Sequence, residues 1–222
     1  MFALSVANGF YTIRLVFSKT GRACYISHLD LNRTMTRVLR RAGIPLWYTE
    51  GFNRHPYITF AAPLSLGSES LCERMDFRLT DDSLTMEEIV DRINASMPEG
   101  LRALKAAEAI HKVCLLGFAA YRMQLSCTAE ELSAFLAQET IAVEKKAKKG
   151  GTKTLDIKPY LDVTAVQATE NGCELTVTLP CSNDVTVNPA LLTSALSAFC
   201  GREIIASVLR LELYDLQRRV FV

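Results

Sequence analysis

Histidine is scarce in this sequence, and its cysteines form no recognisable pattern. Three histidines and seven cysteines (24, 72, 114, 127, 173, 181, 200) include no CxxC and no Cys/His pair at metal-ligand spacing, which argues against a structural zinc site. An odd, scattered set in a reducing compartment reads instead as small apolar side chains, often buried. No apolar run approaches the roughly 18 residues of a membrane span, and the stretch MFALSVANGFYTIR lacks a cationic n-region and a small-residue cleavage site. A cytoplasmic protein with no membrane attachment is therefore expected. An excess of either charge is also missing: 25 Lys/Arg against 24 Asp/Glu leave +1, so bulk electrostatics draws the chain to neither nucleic acid nor an anionic surface. Gly67, in LSLGSES, has no GxGxxG or GK[ST] context, which removes a nucleotide-phosphate loop. What is present, 222 residues with 49% hydrophobic and 22% charged, describes a globular chain with one large domain or two smaller ones.

Along the chain, Phe10 to Phe17 alternates as a strand, with Ile13, Leu15 and Phe17 against Thr12, Arg14 and Val16. Ser27 reads as an N-cap, with Asp30 three residues on in an approximate capping box, and opens a helix from His28 to Ala42. In that helix Leu31, Met35, Val38, Leu39 and Ala42 recur at helical spacing while Arg33, Arg37, Arg40 and Arg41 share the other side. Gly43 and Pro45 end it. Strands are expected at Tyr57–Ala62, Arg74–Leu79 and Leu101–Ala109, with a helix capped by Thr85-Met86-Glu87-Glu88 before the last. Trp47 and Tyr48 read as core.

From Ala120 a similar order returns: strand, a helix capped at Thr128 to Glu131, strands at Ile141–Lys145, Leu155–Val166 and Glu174–Leu179, a helix from Asn188, and a last strand at Ser207–Leu213. The expectation is an α+β protein of two tandem ferredoxin-like (βαββαβ) halves with antiparallel sheets, residues 1–113 and 114–222. Two such halves side by side can form a cleft.

Residues 17–70 carry Phe17-Ser18-Lys19, Ile26-Ser27-His28-Leu29-Asp30, Arg40-Arg41-Ala42-Gly43, Glu50-Gly51-Phe52-Asn53, His55-Pro56 and Pro63-Leu64 in that order. This block resembles the uncharacterised bacterial family of radical SAM-linked proteins, found beside or fused to radical S-adenosylmethionine proteins. Asp156-Ile157-Lys158-Pro159 extends the likeness, whereas Arg54 stands where the family usually carries Pro. The resemblance implies a radical S-adenosylmethionine protein as partner. That family's frequent genomic setting near ribosomal-protein and ribonuclease genes further implies RNA, tRNA or ribosomal RNA, as a partner. The chain has no CxxxCxxC to hold an iron–sulfur cluster, so it is read as partner rather than catalyst, with no cofactor of its own.

Charge is unevenly placed. Residues 14–60 hold eight Lys/Arg against Asp30 and Glu50, and residues 141–160 hold six Lys against Glu144 and Asp156. Lys19, Arg22, Arg33, Arg37, Arg40, Arg41 and Arg54 on the first stretch, with Lys145, Lys146, Lys148 and Lys149 on the second, are the candidate RNA contacts, with exposed rings for base stacking. The plainer alternative is a solvated helix face and a hairpin tip. Lys19, His28, Asn53 and His55 are the candidate cleft residues. His28 and His55 are also the candidate acid–base groups, set against a buried His28 that ties the helix start to the 53–56 loop. The leading expectation is an RNA-binding, substrate-presenting partner; alternatives are a histidine-dependent RNA-processing enzyme and a module for a small anionic ligand.

Overall fold

The computed structural model describes residues 9–146 and 152–222, with the side chains of 145, 146, 152 and 153 left aside. It is a mixed α+β fold with four α-helices among the described residues and sheets rich in antiparallel pairing. The chain divides into two units, residues 1–116 with 221–222, and residues 117–220.

In the first unit β1 (Tyr11–Lys19), α1 (His28–Arg41), β2 (Ile58–Phe60), β3 (Glu69–Leu79), α2 (Met86–Ser96) and β4 (Leu101–Glu108) follow one another. β1 lies between β4 and β3, and β2 pairs with β3, every ladder antiparallel. Alternation along β1 sends Ile13, Leu15 and Phe17 to one face. There they meet Leu31, Met35, Val38 and Leu39 of α1, Met75, Phe77 and Leu79 of β3, and Ile89 and Ile93 of α2. The caps form as the spacing predicts. Ser27 accepts from the Asp30 N–H at 3.1 Å, and Thr85 with Glu88 closes a full capping box. In the Ser27 cap the Asp30 carboxylate accepts from the Ser27 hydroxyl at 2.7 Å.

The turn into β4 depends on Gly100. Its φ is +83°, and a Cβ there would stand 2.6 Å from the Thr20 carbonyl oxygen and 2.8 Å from Ala23 Cβ. Gly100→Ala should lower the unfolding free energy by about 2–3 kcal/mol, read as a lower urea midpoint at unchanged slope.

The second unit runs β5 (Leu116–Leu125), α3 (Ala129–Leu136), β6 (Ala142–Lys146), β7 (Thr152–Asp156), β8 (Asp162–Thr169), β9 (Gly172–Pro180), α4 (Pro189–Cys200) and β10 (Ala206–Asp215). Its sheet has the order β10-β5-β9-β8, and β6 with β7 forms a separate two-stranded ladder. The single strand expected at Leu155–Val166 is in fact two, broken by a 3₁₀ turn at Lys158–Tyr160. Pro159 has no N–H for a ladder, and the Asp156 carboxylate accepts from the Ile141 and Lys158 amides, drawing the chain out of line.

Cys127 and Cys173 lie buried in this unit with sulfurs 3.6 Å apart, far longer than a disulfide. Burial, reinforced by Cys127, pushes the Cys173 thiol up to about 12. A raised thiol pKa favours the neutral form in the folded state. Its stabilisation is therefore complete below the ordinary value of 9.0 and is lost as pH climbs from there toward about 12. Native alkylation with iodoacetamide near neutral pH should mark exposed Cys114 first, and reach Cys127 and Cys173 only on unfolding, as peptide mass mapping would read. The burial expected of the cysteines holds for Cys24, Cys72, Cys127 and Cys173; Cys114 is exposed, and Cys181 and Cys200 are half-buried.

Candidate functional site

α1 positions the arginines. Its apolar stripe is pinned to the core, so Arg33, Arg37, Arg40 and Arg41 all face outward and are exposed. They differ in what they meet. Arg33 contacts Asp30 at 3.3 Å in an ion pair open to water, and Arg40 lies 5.6 Å from the centre of the Tyr48 ring. Arg37 and Arg41 have no carboxylate partner among the described residues. A residue that sequence spacing does not reveal joins this end of the helix. Arg92, on α2, brings its Nη1 within 4.0 Å of where a Gly43 Cβ would stand.

Beyond α1 the chain makes a braced loop. Tyr48 bridges to Pro56, the Thr49 amide donates to the His55 carbonyl at 2.9 Å, and His55 Nδ1 lies 2.9 Å from the Asn53 carbonyl oxygen and 3.2 Å from Thr49 Oγ1. The bracing leaves Phe52, Asn53 and Arg54 in solvent, with the Phe52 ring wholly exposed. Tyr25 and Arg22, in the turn before α1, are exposed as well.

Several expected placements are corrected. Lys19 is 1% exposed, and its Nζ donates to the Cys24 carbonyl at 3.1 Å, so it faces neither RNA nor a ligand in solvent. The alternation of β1 carries it inward at the strand end. His28 is exposed and lies edge-on to Phe60, with ring centres 5.2 Å apart, rather than buried and bonded to the 53–56 loop. Tyr48, expected in the core, does pack against it while half-buried, whereas Trp47 is half-buried beside Phe10; each carries an arginine against its ring. Lys148 and Lys149 lie outside the described residues; for Lys145 and Lys146 only the β6 backbone is described.

The sheet face opposite the α1 contacts holds a second set of charges. Arg14 grips Asp76 with Nε and Nη2, both at 2.7 Å, donates to the carbonyls of His111 at 2.7 Å and Val222 at 2.9 Å, and has its Cζ 4.3 Å from the centre of the Phe221 ring. Arg74 donates to the Phe221 carbonyl at 2.9 Å. This assembly is a structural clasp on residues 221–222. Among the described residues no cluster of three or more His, Cys, Asp or Glu side chains could hold a metal, and no helix is long and apolar enough to cross a membrane.

Residues 12–189 match the family described as an uncharacterized protein conserved in bacteria, DUF2344, and the chain belongs to it. The matched span takes in α1 and the braced loop. No protein with a curated description matches. Two solved structures are weakly similar, each at 10% identity: an unknown protein from Galdieria sulphuraria (TM-score 0.27, covering 90% of this chain and 98% of that one) and a glycine cleavage system transcriptional repressor (TM-score 0.24, covering 93% and 98%). At these scores neither bears on fold or function.

Proposed function

We propose that this protein is an RNA-binding, substrate-presenting partner of a radical S-adenosylmethionine protein, acting in the cytoplasm on RNA or ribosome-related modification. The observation that carries the RNA part is the outer face of α1, where Arg37 and Arg41 stand in solvent with no acid beside them among the described residues. Guanidinium groups so placed neutralise phosphates and release counterions. Phe52 and Arg54 at the tip of the braced loop supply a ring for an unstacked base and a further charge. The radical S-adenosylmethionine link rests on the resemblance of residues 17–70 alone. In this reading each unit is a ferredoxin-like half, the strand orders β4-β1-β3-β2 and β10-β5-β9-β8 being equivalent once β6 and β7 are set aside as an insertion. The test is binding of total cellular RNA across a salt series, wild type beside Arg37→Glu/Arg41→Glu. Steep, salt-dependent binding lost in the variant supports the reading, and no binding at low salt overturns it.

A further inference from the structure

Three arginines follow one another on the same face of the first unit's sheet, and they are treated very differently. Arg14 has a carboxylate and two carbonyls, and Arg74 has the carbonyls of Phe221 and of Cys72, the latter at 2.6 Å. Arg78, opposite Thr12 in the ladder, has neither. Its Cζ lies 3.7 Å from the centre of the Tyr57 ring, 3.8 Å from Phe10 and 5.1 Å from Trp47. The backbone sets this clasp. The Trp47 amide donates to the Arg78 carbonyl at 2.9 Å and the Tyr57 amide to the Trp47 carbonyl at 3.3 Å, fixing both rings to the strand that carries the arginine.

Ring faces attract a cation but accept little from its N–H groups. Arg78 Nε is buried with no acceptor, and among the described residues no carboxylate pairs with the guanidinium. The fold supplies acceptors to Arg14 and Arg74 on this face; at Arg78 it holds a partly desolvated cation rigid and supplies none. The residue is half-buried, so water-side access remains to the head of the side chain. A rigid, uncompensated guanidinium fork with an apolar rim fits a tetrahedral oxyanion, which offers several acceptor oxygens and up to two charges.

We propose that Arg78, clasped by Phe10, Trp47 and Tyr57, is a phosphate-binding site, separate from the arginine face of α1, for the phosphate of a nucleotide or of an RNA end. The phosphate oxygens would accept from the Nη atoms while the rings keep the fork from turning. Arg78→Lys is not equivalent, because an ammonium neither stacks flat between Phe10 and Tyr57 nor offers two parallel donors.

Trp47 is the only tryptophan in the chain, so its fluorescence reports this site alone. The experiment titrates the full-length protein with inorganic phosphate, uridine 5′-monophosphate and a 5′-phosphorylated oligouridylate at constant ionic strength, with acetate as the control anion. The expected result is a saturable change in Trp47 emission, half-complete at about 1 mM phosphate or below, weakened about tenfold in Arg78→Lys and absent in Arg78→Gln. Tighter response to the mononucleotide identifies a free nucleotide as the source; tighter response to the oligonucleotide identifies an RNA end. A wild-type signal that does not saturate, that acetate reproduces at equal strength, or that Arg78→Gln retains would overturn the proposal. The wild-type titration decides it even where the glutamine variant does not fold.

Discussion

Reversing two arginines, Arg37→Glu with Arg41→Glu, should weaken RNA binding by about tenfold or more at low salt and reduce the slope of log affinity against log salt by about 1.4, the value for two lost contacts to a single strand. The effect should be large because the two side chains lie one helical turn apart on the exposed face of α1, so both reach the same stretch of backbone. Reversal also places two carboxylates there, repelling phosphate rather than merely failing to attract it. Stability should change little, since neither side chain takes part in the core formed by Leu31, Met35, Val38 and Leu39. Filter binding at several salt concentrations, with a thermal melt of each protein, separates the two effects. Equal affinity and slope for wild type and variant, with both folded, would sink the RNA reading while leaving the Arg78 proposal to its own titration. Arg33 is the poorer choice for this test because Asp30 already shares its charge.

That face was legible in the sequence because a helix encodes its surface locally. One apolar stripe at helical spacing, a Ser27 cap and a glycine stop are enough to say which arginines point outward. Both Thr–Glu capping boxes are local in the same way. What escaped depends on partners distant along the chain. The alternation of β1 puts Arg14 on the face away from α1, where water would be the ordinary neighbour, yet it is 2% exposed because Asp76, His111 and the 221–222 segment enclose it. Lys19 is a different case: it continues the inward alternation of Ile13, Leu15 and Phe17, but a lysine at a strand end is ordinarily solvated, and the Cys24 carbonyl that accepts from it inside is not marked in the sequence. Residues 69–73 do not read as strand because Glu69, Ser70 and Glu73 mask the alternation, although Ser70 and Glu73 are buried. The clasp of Arg78 draws its rings from positions 10, 47 and 57, and no spacing rule joins those three. A Pro after Lys158, by contrast, was a readable signal of a break in the strand.

Asp76→Ala should be among the most damaging single changes in the first unit, lowering its unfolding free energy by about 3–5 kcal/mol. Asp76 is 7% exposed and Arg14 2%, and their two 2.7 Å hydrogen bonds lie side by side in the fork geometry that suits guanidinium and carboxylate. Removing the carboxylate leaves the guanidinium with the main-chain oxygens of His111 and Val222 and the Phe221 ring but without its side-by-side carboxylate partner. Water cannot easily replace it, because the site is closed by the residues that the arginine itself organises. The consequence should extend to residues 221–222, whose carbonyls accept from Arg74 and Arg14. Hydrogen exchange should show the Phe221–Val222 segment opening along with β1 and β3. Arg14→Met with Asp76→Leu tests the cause, because replacing a buried ion pair with apolar side chains of similar size often costs little. If the double variant is markedly more stable than Asp76→Ala alone, the loss is that of an uncompensated buried charge. If both are equally unstable, the clasp on Phe221 and Val222, not the charge balance, is what holds this face of the sheet.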